Sequence, residues 1–218
     1  MQRGFGVEIP QTLDELCDPD RMALVVYDMQ AGILPQISQS KQLIARVTQV
    51  LSAAREAGVR VFFTRHMSLP NEVAGIAQLR TRMAWQKATD VTKVKSSFPP
   101  GSPQFQLVPE LTPLGGEAAF DKITMSAFVG TPLDIVMRDC GISVFAIVGV
   151  AMEVGIEPTV RHGADLGYIP IVIGDACGAG NQEAAERSIA SLKYAGDAVF
   201  TDTESLCTAL AKSRRAIA

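Results

Sequence analysis

The chain has 218 residues, 47% of them hydrophobic and 20% charged, the composition of an ordinary soluble globular protein with a sizeable core. Its net charge of −3 and isoelectric point near 5.4 give no electrostatic footprint for nucleic acid or an anionic membrane. No apolar run approaches the ~20 residues that span a bilayer, and residues 1–6 lack the apolar stretch of a signal peptide, so a cytoplasmic protein is expected.

In chain order, residues 22–27 form a continuous apolar run, as expected of a strand buried on both faces. A helix is predicted over 39–57, with Leu43, Ile44, Val47, Val50, Leu51 and Ala54 at helical spacing and Gly58 placed to cap it. A second strand covers 59–64. Residues 65–117 then read as a long irregular connection rich in Pro, Ser and Gly, a length that suggests a lid or substrate loop. Beyond it come a short strand at 118–121, a helix at 131–140 and the most apolar strand at 144–148. A helix at about 154–166 and a strand at 169–173 follow, Pro170 favouring a strand start or an edge. A helix at 182–195, a strand at 198–200 and a helix at 203–212 complete the series, with fraying expected from Ser213 to Ala218. The alternation predicts one α/β domain over 1–218 with its core at about 20–205. It has three layers, a mostly parallel central sheet covered by helices on both faces in a Rossmann-like arrangement.

The four cysteines, Cys17, Cys140, Cys177 and Cys207, lack Cys-x-x-Cys spacing, which suggests neither a disulfide framework nor a zinc site. Buried free cysteine is common in cores, and only Cys177 lies near a predicted strand end. Asp28 follows the first strand, where parallel sheets place their ligand crevice, although a turn or capping aspartate reads the same way. Lys122 ends the short strand at 118–121; buried beside Asp28 it would hold that carboxylate, and otherwise it is a surface lysine. His66 ends the second strand, and Arg65, Arg82 and Trp85 come from the long connection; an arginine there would suit a carboxylated substrate. His162 reads as a packing or surface residue, and Glu153 and Glu157 as carboxylates favoured near a helix N-terminus.

Three stretches together resemble the isochorismatase-like hydrolases, the cysteine hydrolase superfamily. Tyr27-Asp28-Met29-Gln30 is similar to the family's hydrophobic strand ending in Asp-x-Gln. Lys122, followed by Ser126-Ala127-Phe128 and Thr131-Pro132-Leu133, is similar to its lysine, Ser-Ala-Phe and Thr-x-Leu. The segment from Val148 to Arg161 resembles its nucleophile turn, Gly-Val-x-x-x-x-Cys-Val-x-x-Thr-Ala-Arg, with Gly155 at the thiol position. The resemblance implies Asp28 as general acid/base, Lys122 orienting it, and a non-proline cis peptide at Val150–Ala151. It further implies an oxyanion hole from the backbone of Ala151 and Gly155; the expected substrate contacts are Gln30, Phe128 and Met152 beside these motifs, and His66, Arg82 and Trp85 from their positions at the second strand's end and on the long connection.

Glycine has no side chain to attack with, so covalent hydrolysis through residue 155 is excluded. Three explanations stay open. The first is non-covalent chemistry, as in isochorismatases that protonate a vinyl ether, with room over Gly155 for substrate. The second is an engineered Cys-less variant, and the third a catalytically silent binding or assembly homologue. The expectation is hydrolysis of a small, carboxylated molecule without cofactor; the first alternative is amide hydrolysis at C–N bonds in a Cys-bearing parent. Residues 64–68 lack the paired ligands of the metal-binding relatives, so no metal is expected. Family members commonly self-associate, and a homo-oligomer with Trp85 at a subunit contact is expected.

Overall fold

The protein's structure, a computed structural model, describes residues 1–217 and the side chains of residues 1–213. It opens with an antiparallel hairpin, β1 (Gln2–Gly4) and β2 (Val7–Ile9), and a one-turn helix α1 (Leu13–Leu16), none of which the sequence patterns announced. Strand β3 (Met22–Tyr27) leads through α2 (Ser40–Ala57) to β4 (Arg60–His66). The connection that follows carries α3 (Ile76–Gln86), and β5 (Ala118–Lys122) comes after it. Helix α4 (Leu133–Asp139), β6 (Val144–Val150), α5 (Glu157–Asp165) and β7 (Ile169–Gly178) continue the alternation. Helix α6 (Gln182–Ala195), β8 (Val199–Thr201) and α7 (Thr203–Ile217) close it.

The central sheet has six strands, all parallel, in the order β5-β4-β3-β6-β7-β8. Successive residues of a strand point to opposite faces, so one apolar run can feed two cores. Met22, Leu24 and Val26 join a core with Val47 and Leu51 of α2 and Leu206 of α7. Ala23, Val25 and Tyr27 join a second core with Leu133 of α4, Val160 of α5 and Leu192 of α6. The result is the expected α/β sandwich of three layers. Strand order reverses between β3 and β6, and the crevice beyond their C-terminal ends is where such sheets bind ligands. Close approach at that point has a local cause: Gly149 has φ +124°, and a Cβ there would lie 2.9 Å from Tyr27 N and C and closer to its carbonyl oxygen.

The structure departs from the predicted elements in four places. Residues 65–117 are not irregular throughout: they contain α3 and 3-10 turns at Val91–Lys93, Pro103–Phe105 and Pro109–Leu111. Helix α3 escapes a periodicity search because its one buried residue is Arg82, so no apolar stripe marks it. The helix expected from residue 154 begins as a π turn, Met152–Ile156, before α5. Strand β7 continues five residues beyond the expected 173, with a register shift against β6 between Ile147 and Gly149. Helix α7 runs on to Ile217 instead of fraying at Ser213; Ala218 lies outside the described residues. Pro170 sits at the second position of β7, an interior strand, in keeping with a strand start.

Candidate active site

Asp28 leaves β3 with φ +48°, the left-handed region that few side-chain-bearing residues adopt. Its N–H donates to the Thr64 carbonyl (3.2 Å), because β3 and β4 run in register with Tyr27 opposite Thr64. That register also brings the Thr64 hydroxyl to Asp28 Oδ1 at 2.7 Å. Lys122 ends β5 opposite His66 and is 1% exposed. Its Nζ donates to Asp28 Oδ2 (2.6 Å), Tyr27 Oη (2.7 Å) and the Thr124 carbonyl (3.2 Å). An ammonium has three N–H groups, and each finds an acceptor here. Burial pulls the Lys122 pKa below its ordinary value, and the Asp28 carboxylate opposes that pull.

The turn after β6 carries the expected cis peptide at Val150–Ala151. In the π turn, the N–H groups of Val154, Gly155 and Ile156 all donate to the Ala151 carbonyl, at 3.2, 3.0 and 3.1 Å. The Gly155 N–H, expected as an oxyanion donor, is thus engaged within the turn, sharing the Ala151 carbonyl with two neighbours. Gly155 borders a cavity, but the direction a Cβ would take from it is occupied. A Cβ built on Gly155 would lie 2.5 Å from Tyr27 Cε1 and closer still to Cζ and Oη. The Tyr27 phenol fills this volume, donating to the Met125 carbonyl and accepting from Lys122. Burial, and next the Asp28 charge, hold its pKa well above that of an ordinary phenol.

A cavity of about 470 Å³ opens beside these groups, bordered by Tyr27, Asp28, His66, Trp85, Ala151 and Gly155, with Ile33, Ile37 and Phe98 adding apolar wall. An adjoining chamber of about 250 Å³ shares His66, Trp85, Phe98 and Met125 with it and adds Gln78 and Arg82. His66 stands between the two. Burial first, then Lys122 and Arg82, lower its pKa to about 4 against the pull of Asp28. At neutral pH its imidazole is uncharged. Between pH 6.5 and 4 the unfolded chain takes up a proton that the folded chain does not, so stability falls as pH falls through that window. The expected slope is at most about 1.4 kcal/mol per pH unit. Urea unfolding at pH 7 and pH 5 should show a smaller loss for His66→Gln than for the unsubstituted chain.

The other predicted pocket residues divide. Trp85 borders both chambers and is 54% exposed. Arg82 borders only the adjoining chamber, where it is buried and donates to Asn71 Oδ1 (2.7 Å), the Leu69 carbonyl (3.0 Å) and Gln78 Oε1 (3.4 Å). Gln30 is fully buried and bonded to main chain: its amide donates to His66 O and Phe105 O and accepts from His66 N. It fixes the ends of β3 and β4 and does not line the cavity. Phe128 stacks on Tyr168 and packs edge-on to Phe145, and Met152 is buried in the same core; neither borders the cavity. The Ser-Ala-Phe and nucleophile-turn patterns place these two in the chain without saying which way they point.

Arg65 turns away to Asp121 (2.7 Å) and the Phe105 ring. His162 pairs with Ser126 Oγ at 2.9 Å and packs on Phe128, while Glu153 accepts from the N–H groups of Gly180 and Asn181. Glu157 holds Arg161 and the Ser188 hydroxyl. Burial pushes the Cys177 thiol pKa up, and its Sγ faces the Ile147 carbonyl at 3.6 Å, outside the cavity wall. Among the described residues no group of three His, Cys, Asp or Glu could hold a metal ion, and no helix is long and apolar enough to cross a membrane. Sequence reading passed over Tyr27 and Thr64. The available signal was a bulky tyrosine ending an otherwise aliphatic strand, beside a turn whose expected side chain is missing.

Comparison with known proteins bears on the family and the fold. The Isochorismatase domain family model matches residues 22–205. The chain is 30% identical over 211 residues to ureidoacrylate amidohydrolase RutB of Serratia proteamaculans, covering 88% of this chain and 84% of that protein. In fold it is similar to a cysteine hydrolase from Pseudomonas syringae pv. phaseolicola (TM-score 0.76, 22% identity, 90% of this chain and 95% of that one). It is similar also to N-carbamoylsarcosine amidase from Thermoplasma acidophilum (TM-score 0.69, 18% identity, 84% and 96%). With the family model spanning both cores and the crevice between β3 and β6, this chain belongs to the isochorismatase family of hydrolases.

Proposed function

We propose that this protein hydrolyses a small carboxylated molecule by acid–base chemistry at Asp28, with no enzyme-bound intermediate. The observation that carries the reading is the Asp28 carboxylate itself: it borders an open cavity while Thr64 and Lys122 fix its two oxygens. A carboxylate held by donors on both oxygens is placed to take a proton from water as the water oxygen bonds to the substrate. Asp28 then returns that proton to the leaving atom as the scissile bond breaks, and water is divided between the products. Lys122 stays an orienting cation, since its three N–H groups are already engaged. A catalytically silent role fits less well, because a filled site would leave no cavity beside the carboxylate.

The ureidoacrylate-directed relative favours a C–N bond as the target. Engagement of the Gly155 N–H by Ala151 points the other way, to reactions such as vinyl-ether hydrolysis that build little charge on an acyl oxygen, so both classes are assayed. Ureido acids, carboxylated amides and carboxylated vinyl ethers therefore form the panel to assay, each beside its neutral methyl ester. Hydrolysis of none of them by the purified chain overturns the reading.

The substrate's carboxylate belongs in the adjoining chamber. Of the residues bordering either chamber, Arg82 alone carries a guanidinium or ammonium, and its hydrogen bonds all go to neutral acceptors. Arg82→Met should raise KM for carboxylated substrates about tenfold or more and change KM for their esters little. Equal effects on both would remove the carboxylate from that chamber. Self-association belongs to the same proposal, with Val73, Ile76 and Trp85 exposed around α3.

A further inference from the structure

We propose that Tyr27 and Gly155 are a matched exchange, in which the phenol occupies the place of a residue-155 side chain and acts as a positioning residue for Lys122. The argument is first one of volume. Strand β3 aims Tyr27 into the core beneath the π turn, and its ring lies where the first carbon of any side chain at 155 would stand. Tyr27 is 1% exposed, and its phenol is held by the Met125 carbonyl and Lys122. Gly155 is buried and has no left-handed φ, so backbone conformation does not demand glycine there. Contact with the ring does.

The second part of the argument is polar. Lys122 Nζ lies 4.2 Å from the Tyr27 ring centroid and 2.7 Å from its Oη, while the same oxygen donates to the Met125 carbonyl. The phenol thus closes the shell of acceptors around the ammonium that steadies Asp28. A chain with a side chain at 155 and a small residue at 27 would have to supply that acceptor from elsewhere. This positioning half rests on the Asp28 hydrolase reading; the steric half rests on geometry alone.

Stability and labelling test the steric half without any substrate. Gly155→Ala and Gly155→Cys in the otherwise unchanged chain should each lower Tm by at least about 5 °C. In a Tyr27→Val background the same two replacements should cost no further Tm. The thiol of Tyr27→Val/Gly155→Cys, facing the cavity beside Lys122, should react with iodoacetamide about tenfold faster than Cys17 or Cys177, as read by peptide mass spectrometry. An unchanged Tm for Gly155→Ala overturns the exchange by itself. So does an equal penalty in both backgrounds, or a thiol at 155 that stays unlabelled in the folded double variant.

The positioning half is read from Tyr27→Phe, which keeps the ring and removes the oxygen. Loss of an acceptor disfavours the ammonium, so the alkaline limb of the pH–rate profile should move to lower pH. An unmoved limb, in an enzyme that still turns over, overturns that half and leaves the hydrolase reading standing.

Discussion

Asp28→Asn should lower turnover at least a hundredfold while the protein remains folded. Proton transfer by a positioned group contributes about 10²–10⁴ to rate, and amide nitrogen cannot accept a proton from water. Folding should survive because the replacement keeps the hydrogen-bond pattern. Asn Oδ1 can accept from Lys122 Nζ in place of Oδ2, and its Nδ2 can donate to the Thr64 hydroxyl, which is able to accept. Steady-state assays on whichever panel member the protein hydrolyses, beside a melting curve, check both statements. Turnover within threefold of the unsubstituted enzyme would remove Asp28 from the chemistry.

Lys122→Met should cost about 3–5 kcal/mol of stability, the largest effect expected of any single replacement here. The methionine fits the volume but strips the cation from a carboxylate that is 4% exposed, and breaking one partner of a buried ion pair leaves the other charge uncompensated. Adding Asp28→Asn should relieve much of that loss, so the double replacement costs less than the two single costs added together. Urea unfolding of the four proteins gives the coupling directly. Strict additivity would mean that the 2.6 Å contact has no energetic weight.

The sequence made the scaffold readable because its signals are local. A strand buried on both faces shows as an unbroken apolar run, and the β3 and β6 runs carry Asp28 and the π turn to the same crevice. The β5 terminus was equally readable as the place of Lys122, though only the β4–β5 register brings its Nζ to Asp28. What could not be read was direction and filling. Phe128 and Met152 follow the family pattern but face the core, and Arg82 is set in the neighbouring chamber by α3, a helix with no apolar stripe to announce it. The largest surprise is Tyr27, whose ring crosses from one strand to the turn of another. No spacing rule links residues 27 and 155; only packing does.

The buried amide of Gln30 lies outside the cavity and ties together the strand ends beneath it. Its three main-chain bonds rivet the tips of β3 and β4 and the Phe105 turn together, so the ground on which Asp28 stands holds still. Across the cavity, α3 buries a single residue and sets Trp85 half in water, so that wall is held by the polar bonds of Arg82 and Gln86 and by little apolar packing.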